Sequence, residues 1–472
     1  MDKIITIYWF RQDLRLSDNP ALFAAASRGI VIPVYILDDL NPAANKIGAA
    51  SRCWLHHSLI SLNLSLNRQL LVYSGNPEDI LNKIIKKYNA NAINWNRCYE
   101  PWAMERDRKI KQNLSIKGIS VNSFNGSLLW EPWEVLKKDK TPYRIFTPFY
   151  YNGCLKNPEP RVPLDKPKQI DYLFKEQQPI KATIEALKLL PQHMWGSKII
   201  SHWNIGEQEA AGKLQSFISR AASSYKDGRD FPGKNSVSRL SPHLHFGELS
   251  PNQVWYAAMG IDNNNLDCFR RQIAWREFSY SLLYYNQHMP ETNLQNKFNN
   301  FPWKNDEKTL KLWKKGQTGI PLIDAGMREL WQTGYIHNRV RMLVGAFLVK
   351  NLLIDWKYGE RWFWDCLVDA DLANNVASWQ WVAGTGTDAA PYYRIFNPIT
   401  QGQKFDGAGI YTRQYVPELK NLPDKYLFNP WEAPKDILKN AGVELGINYP
   451  LPIIDIKLSR EQALKIFKSL SN

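Results

Sequence analysis

Ile4-Ile-Thr-Ile-Tyr-Trp-Phe10 is an apolar, β-favouring run closed by the polar pair Arg11-Gln12. So short a run, without polar alternation, is expected of a strand buried on both faces. Similar runs recur at Ile30–Leu37, Leu70–Ser74, Ala92–Asn96 and Ile119–Phe124. Between them Ala49–Asn67 and Asp79–Tyr88 carry helical periodicity. Strands alternating with crossover helices predict a parallel sheet covered on both faces, with any ligand at the carboxyl ends of its strands. No GxGxxG follows the first strand, so the usual dinucleotide fingerprint is missing.

Working outward, residues 131–200 lose periodicity and mix lysines with prolines (Pro132, Pro142, Pro148, Pro158, Pro160, Pro163, Pro167, Pro179), which predicts a long connection. From about residue 204 the pattern is helical, as in Glu207–Ser219, Asp267–Tyr285 and Ile336–Ile354. The expected architecture is therefore an α/β domain over 1–130, a linker over 131–200 and a mostly helical domain over 201–472.

The chain has 472 residues, 44% hydrophobic and 22% charged, which is ordinary globular usage. Apolar runs such as Val344–Leu353 fall short of the roughly 20 residues a membrane-spanning helix needs. Met1–Phe10 lacks the basic start and small-residue cleavage site of a secretory signal. Cys53, Cys98, Cys154, Cys268 and Cys366 are scattered without CxxC spacing, so neither a disulfide framework nor a metal site is expected, and a cytoplasmic location is. The net charge of +15 makes nucleic acid the first partner to consider. Tryptophan is abundant, and 12 of the 19 lie beyond residue 200.

The densest chemistry lies in Asp369-Ala370-Asp371-Leu-Ala-Asn374-Asn375, followed by Trp379-Gln-Trp381. Two acids and two amides in an apolar stretch are costly to bury without partners. A calcium loop is excluded, because Asn374 stands where glycine is needed and Gln380 where a bidentate glutamate is needed. Helix capping would use one acid and leave the rest unexplained, so a polar ligand headgroup is the favoured reading. On a helix, Asn375 and Trp379 share a face. Ser236–Ser241 suits a phosphate cradle ahead of a helix and equally an ordinary capped loop. Gln272, Trp275 and Ser279 share one helix face, and an amide beside an indole can read an extruded base. Asn338 and Met342 sit one turn apart. His243-Leu-His245 lacks a third ligand, so solvent-facing or capping histidines are expected.

Ser238-Arg-Leu-Ser241, Trp275-Arg-Glu-Phe278, Asp324-Ala-Gly-Met-Arg328, His337-Asn-Arg339, Asp369–Asn375, Trp379-Gln-Trp381 and Asp388-Ala-Ala-Pro-Tyr392, with Trp9-Phe-Arg-Gln-Asp-Leu-Arg15 at the start, together resemble the photolyase/cryptochrome family. The likeness runs nearly the whole length, and its nearest type is a class I cyclobutane pyrimidine dimer photolyase. It implies a helical FAD-binding domain, ultraviolet-damaged DNA as partner, a monomer, and a light-driven carbon–carbon lyase that repairs dimers by electron transfer from excited reduced FAD. It further implies that Tyr225, Val237, Ser238, Arg239, Leu240 and Ser241 hold the FAD pyrophosphate. Asp369, Ala370 and Asp371 would contact the ribityl and ring edge, Arg341 would pair with Asp369, and Asn375 would bond flavin N5. Trp275 and Trp381 would wall the flipped dimer. Gln272, Asn338 and Met342 would read its edge, Arg276 would join them, and Arg229, Arg339, Arg394 and Lys404 would take phosphates. Trp379, Trp356 and Trp303 map onto the family's electron chain.

A (6-4) photolyase would resemble this chain less, since histidines would be expected where Asn338 and Met342 stand. Gln272 departs from the glutamate usual in cyclobutane enzymes, and Val237 from a hydroxyl residue usual at its place. A signalling cryptochrome is the alternative, and the short tail Leu451–Asn472 favours the enzyme. A second, antenna chromophore of folate or deazaflavin type is also implied, with Tyr99, Glu100 and Trp54 as candidates near it.

Overall fold

A strand in the middle of a sheet needs cover on both faces, and β1 (Ile4–Phe10) has it: everything from Thr6 onward is buried. The computed structural model describes residues 4–42, 45–174, 181–191, 194–259 and 264–470. β2 (Gly29–Leu37), β3 (Leu71–Ser74), β4 (Ala92–Asn96) and β5 (Ser120–Phe124) join β1 in a parallel sheet of order β3-β2-β1-β4-β5. The helices Pro20–Ala26, Ala49–Ser65, Pro77–Tyr88 and Pro101–Ile116 make the crossovers. Asn19 and Asn76 cap two of them, each with proline in the first turn. The core joins Ile7, Trp9, Ile32, Val34, Ile93 and Trp95 of the sheet to Leu81, Ile84, Ile110 and Leu114 of the helices. Each such side chain contributes about 1.5–3 kcal/mol by leaving water. The proline- and lysine-rich stretch is not wholly irregular: β6 (Asp171–Tyr172) pairs with the start of β2.

Strand order reverses between β1 and β4, so their carboxyl ends form the crevice where such sheets take ligands. Here the protein fills it. Asn96 donates to Asp13 at 2.7 Å and Asn19 at 2.8 Å, and Arg11 pairs with Asp107 while lying 5.0 Å from the Trp9 ring.

The chain forms two compact units: Met1–Ser223 with Ser238–Gln287 and Val368–Ala373, and Ser224–Val237 with His288–Leu367 and Asn374–Asn472. The sheet belongs to the first, together with the helices Glu207–Arg220 and Asn264–Tyr285. The second is built on Pro321–Thr333, Asn338–Ala346, Trp356–Cys366 and Ile456–Ser469. The helix expected over Ile336–Ile354 starts at Asn338, because the His337 ring accepts the Arg339 N–H at 3.2 Å and caps it. It then widens into a π turn at Phe347–Asn351. The five cysteines are free thiols, and no described helix is long and apolar enough to cross a membrane.

Candidate functional site

In the first unit the helix Asn264–Tyr285 sends its Trp275-Arg-Glu-Phe278 motif in different directions. The Trp275 ring, half-buried, stacks on Phe146 with centroids 3.9 Å apart and planes 9° apart. One turn earlier, Gln272 donates from Nε2 to the Cys268 carbonyl at 3.0 Å. Glu277 accepts the N–H groups of Leu129 (2.9 Å) and Trp130 (3.3 Å), and burial pushes its carboxyl up to about 7 against the pull of Arg276. Arg276 donates to the Ser127 carbonyl at 2.7 Å and lies 4.7 Å from the Tyr280 ring. Arg276 therefore turns inward, and the expectation of a DNA contact there gives way to an internal role.

That role is electrostatic. Asp371 accepts the Tyr280 hydroxyl and lies 3.9 Å from His245 Nδ1. Burial alone would raise its carboxyl, but His245, with Arg276 and Tyr280, outweighs burial and brings it down to about 2. Asp371 is thus an ionised carboxylate in a buried place. Asp369 accepts the Ser241 hydroxyl at 2.5 Å. Ahead of Ser241 the chain passes through Arg239 in the left-handed region, φ 51°, and among the described residues the N–H groups of Ser238, Leu240 and Ser241 find no acceptor. Val237 is half-buried.

In the second unit Asn375 and Trp379 share the helix Leu372–Ala383. Asn375 donates from Nδ2 to Glu360 Oε1 at 2.8 Å and to the Glu360 carbonyl at 3.2 Å, leaving Oδ1 without a donor among the described residues. Burial lifts the Glu360 carboxyl to about 7, with Asn375 and Arg361 opposing. Trp379 is buried, 5.0 Å from Phe363, and a Cβ at Gly359 would run into its ring, so glycine there makes room for the indole. Gln380 is an organiser. Its Nε2 donates to the carbonyls of Met289 (2.8 Å) and Thr292 (2.9 Å), and its Oε1 accepts Leu294 N–H (3.0 Å), while Trp381 stays half-buried.

Trp356 is fully buried with Nε1 on Asn293 Oδ1 at 2.9 Å, whereas Trp303 is partly exposed, 4.2 Å from Phe301. The segments carrying them are laced together by Lys304 N–H on the Leu353 carbonyl and Asp355 N–H on Asn305 Oδ1. Asn338, exposed, reaches Met342 Sδ at 3.9 Å. Arg339 pairs with Asp230 at 2.6 Å, Arg341 donates to the Ile336 carbonyl at 2.8 Å, and Arg229 lies 5.4 Å from the Tyr225 ring. Arg394 and Lys404 are exposed.

Each unit, taken by itself, carries groups that suit a part of a flavin dinucleotide. Unshared N–H groups at Ser238, Leu240 and Ser241 match diphosphate oxygens. The unshared Asn375 Oδ1 matches an N–H at a flavin edge, and ionised Asp371 offers acceptors to hydroxyls or ring N–H groups. Sequence reasoning missed Tyr280 and Glu360. Tyr280 was visible as the i+4 partner of Arg276, but Glu360 lies 15 residues from Asn375 in a helix with no motif of its own. The histidines are not solvent-facing. His243 is fully buried against Glu248 at 2.5 Å, and His245 faces Asp371. Of the antenna candidates, Tyr99 bonds Glu131 at 2.6 Å, Glu100 accepts from Gln12 at 2.6 Å and Trp54 donates to Glu248 at 3.0 Å.

Residues 269–469 match the family described as FAD binding domain of DNA photolyase, and residues 6–168 the one described as DNA photolyase. A deoxyribodipyrimidine photo-lyase of Agrobacterium fabrum is 48% identical, with 98% of each chain covered. Cryptochrome-2 of Arabidopsis thaliana is 39% identical over 98% of this chain and 79% of its own. A bacterial class III photolyase from Agrobacterium tumefaciens superposes with a TM-score of 0.95 at 48% identity, covering 100% of this chain and 98% of that one. That neighbour is named a class III photolyase, not the class I type expected from the sequence. Matched along both its sheet-bearing start and its helical remainder, the chain belongs to the photolyase/cryptochrome family.

Proposed function

We propose that the chain is a deoxyribodipyrimidine photo-lyase, a carbon–carbon lyase that opens cyclobutane pyrimidine dimers in DNA under blue light. FAD, held by residues of this chain, would supply light-driven one-electron chemistry for ring splitting. The chain's own residues do the rest. The Ser238–Ser241 N–H groups, with Tyr225, bind diphosphate, and Asp369 and Asp371 orient the polar edge of the cofactor. Asn375, fixed by Glu360, presents an acceptor at the flavin edge. Trp275, braced by Phe146, and Trp381 offer flat faces for extruded bases. Trp379, Trp356 and Trp303 pass electrons inward from the surface, because indoles are oxidisable.

The observation that carries the choice of lesion is the Asn338–Met342 pair, an amide against a thioether with nothing to titrate. Cyclobutane splitting needs no acid–base partner at that place, whereas (6-4) chemistry would. Arg394 and Lys404, exposed, with Arg229 and Arg339, take backbone phosphates, so affinity for DNA falls steeply with salt. The protein acts as a monomer, with a second, antenna chromophore of folate or deazaflavin type. Light signalling of the cryptochrome kind is the second reading, since one relative is named Cryptochrome-2. Ultraviolet-treated oligonucleotide decides between them: dimers should disappear in blue light and persist in darkness, and persistence in both would end the repair reading.

A further inference from the structure

On the second unit a half-open cavity of about 700 Å³, within the size range of small-molecule sites, is walled by Trp431, Phe396 and Ile395 and edged by Lys457 and Arg460. Each of its acids has one oxygen on a neutral donor. Asp455 Oδ1 accepts Leu458 N–H at 2.8 Å and caps the helix Ile456–Ser469, and Glu432 Oε2 accepts Asn429 Nδ2 at 2.5 Å. Lys457 and Arg460, one turn apart on that helix, make no ion pair or hydrogen bond among the described residues, and the Trp431 N–H has no acceptor there either. Two adjacent unpaired cations beside an indole face call for a ligand that joins a doubly charged acceptor to a flat ring. Ile395 has a second face: it packs into the cluster that holds Trp303, Phe301, Tyr392 and Phe467. A ring bound in the cavity is thus one side chain, Ile395, away from the cluster that the partly exposed Trp303 packs against.

We propose that this cavity binds a reduced pyridine nucleotide, its diphosphate on Lys457 and Arg460 and a ring on Trp431, and that the nucleotide re-reduces oxidised Trp303. The redox half rests on the reading of Trp379, Trp356 and Trp303 as an electron chain. One electron passes from the dihydronicotinamide to the indole radical cation, which returns to neutral tryptophan. The nucleotide radical cation loses a proton to water, and its remaining odd electron reduces a second oxidised Trp303. Two turns therefore convert the reduced nucleotide to its oxidised form and one proton.

The test uses the flavin-loaded protein and NADH. In darkness NADH should bind saturably, and K457A/R460A, two exposed side chains, should weaken it about tenfold or more. Inorganic diphosphate binding as tightly as NADH, or no dark binding at all, overturns the site. In blue light the rate of flavin reduction should saturate with NADH in the unaltered protein and lose that saturation in K457A/R460A, while dithiothreitol drives both equally. Dark binding without saturable photoreduction, with dithiothreitol effective, overturns the donor role. W303F separates the two readings: it should abolish photoreduction by every donor and leave dark binding intact, and if photoreduction survives it is the electron chain that fails.

Discussion

Asp371 in the first unit and Asp324 in the second are both buried aspartates, and they ionise in opposite senses. Around Asp324 every hydrogen-bond donor is neutral: Thr318 N–H and hydroxyl at 2.7 Å each, Gly319 N–H at 3.0 Å and the Tyr449 hydroxyl at 2.9 Å. Burial wins there over those donors and the pull of Arg328, and lifts the carboxyl to about 6. Around Asp371 stand His245 and Arg276, and the carboxyl drops to about 2. At Asp324 neutral donors and the more distant Arg328 fall short of the cost of burial, whereas at Asp371 the hydrogen bonds of His245 and Tyr280 together with the charge of Arg276 exceed it. Asp324 is mortar, tying the 318–319 turn and Tyr449 to the helix Pro321–Thr333. Asp371 keeps a charge two residues from Asp369, which accepts the Ser241 hydroxyl, and a buried charge of this kind is what a ligand site needs.

The largest effect should follow from removing that charge. Asp371→Asn keeps shape and loses the carboxylate that Tyr280, His245 and Arg276 surround. Flavin absorbance per mole of purified protein should fall sharply, and repair by about 100-fold or more, with the fold intact by circular dichroism. Retained flavin and repair would erase the distinction between the two acids. Asp324→Ala should do the reverse. It leaves buried donors without an acceptor and costs about 3 kcal/mol of stability, read as a lower urea midpoint, while the folded fraction keeps its flavin.

The two acids should also part in their pH dependence. Asp324 binds its proton more readily folded than unfolded, so between about pH 4 and 6 the folded state holds more protons and stability falls as pH rises. Glu277 and Glu360, both lifted to about 7, carry that fall onward towards neutrality. Asp371 acts oppositely: its contribution is present above about pH 4 and is lost as pH falls towards 2. Urea midpoints across pH 4 to 7 should decline, and Asp324→Asn should remove on the order of 2 kcal/mol of that slope. A slope unchanged in the variant would place the titration elsewhere.

How much of this was legible in the sequence follows the same division. Strands buried on both faces announce themselves, because Ile4–Phe10 and Ala92–Asn96 need no partner's sequence to be read. Asp369–Asn375 stood out because its composition is too polar for its surroundings. What escaped were pairings across the chain. Tyr280 meets Asp371 across 91 residues, and the inward turn of Arg276 depends on a carbonyl at Ser127, which any residue could supply. His243-Leu-His245 misled for the same reason, since Glu248 and Asp371 are what bury and orient the two rings.

Glu360→Gln probes a weaker coupling. A glutamine carbonyl can still accept from Asn375 Nδ2, so flavin should be retained, but the group that titrates near 7 behind Asn375 is gone. The rate of flavin photoreduction should change severalfold between pH 6 and 8 in the unaltered protein and flatten in the variant. Parallel profiles in the two proteins would show that Glu360 only braces the amide.

The smallest effect is expected at Gln272, where the first unit presents a neutral amide on the helix face that carries Trp275. Its Nε2 is tied back to the Cys268 carbonyl at 3.0 Å, a local bond of about 0.5–1 kcal/mol. Gln272→Glu cannot make that bond, so the new carboxylate no longer ties back to the Cys268 carbonyl and is available to a base stacked on Trp275. The exchange is nearly neutral for stability because the position is half-buried and water can take up the freed Cys268 carbonyl. For a cyclobutane dimer the carboxyl can accept from a thymine N–H and, when protonated, donate to a carbonyl. Repair per bound lesion should therefore hold or rise about twofold, measured as dimers split per absorbed photon. A drop of tenfold or more would mean that the amide's donor is what the lesion uses, and would move the substrate away from cyclobutane dimers.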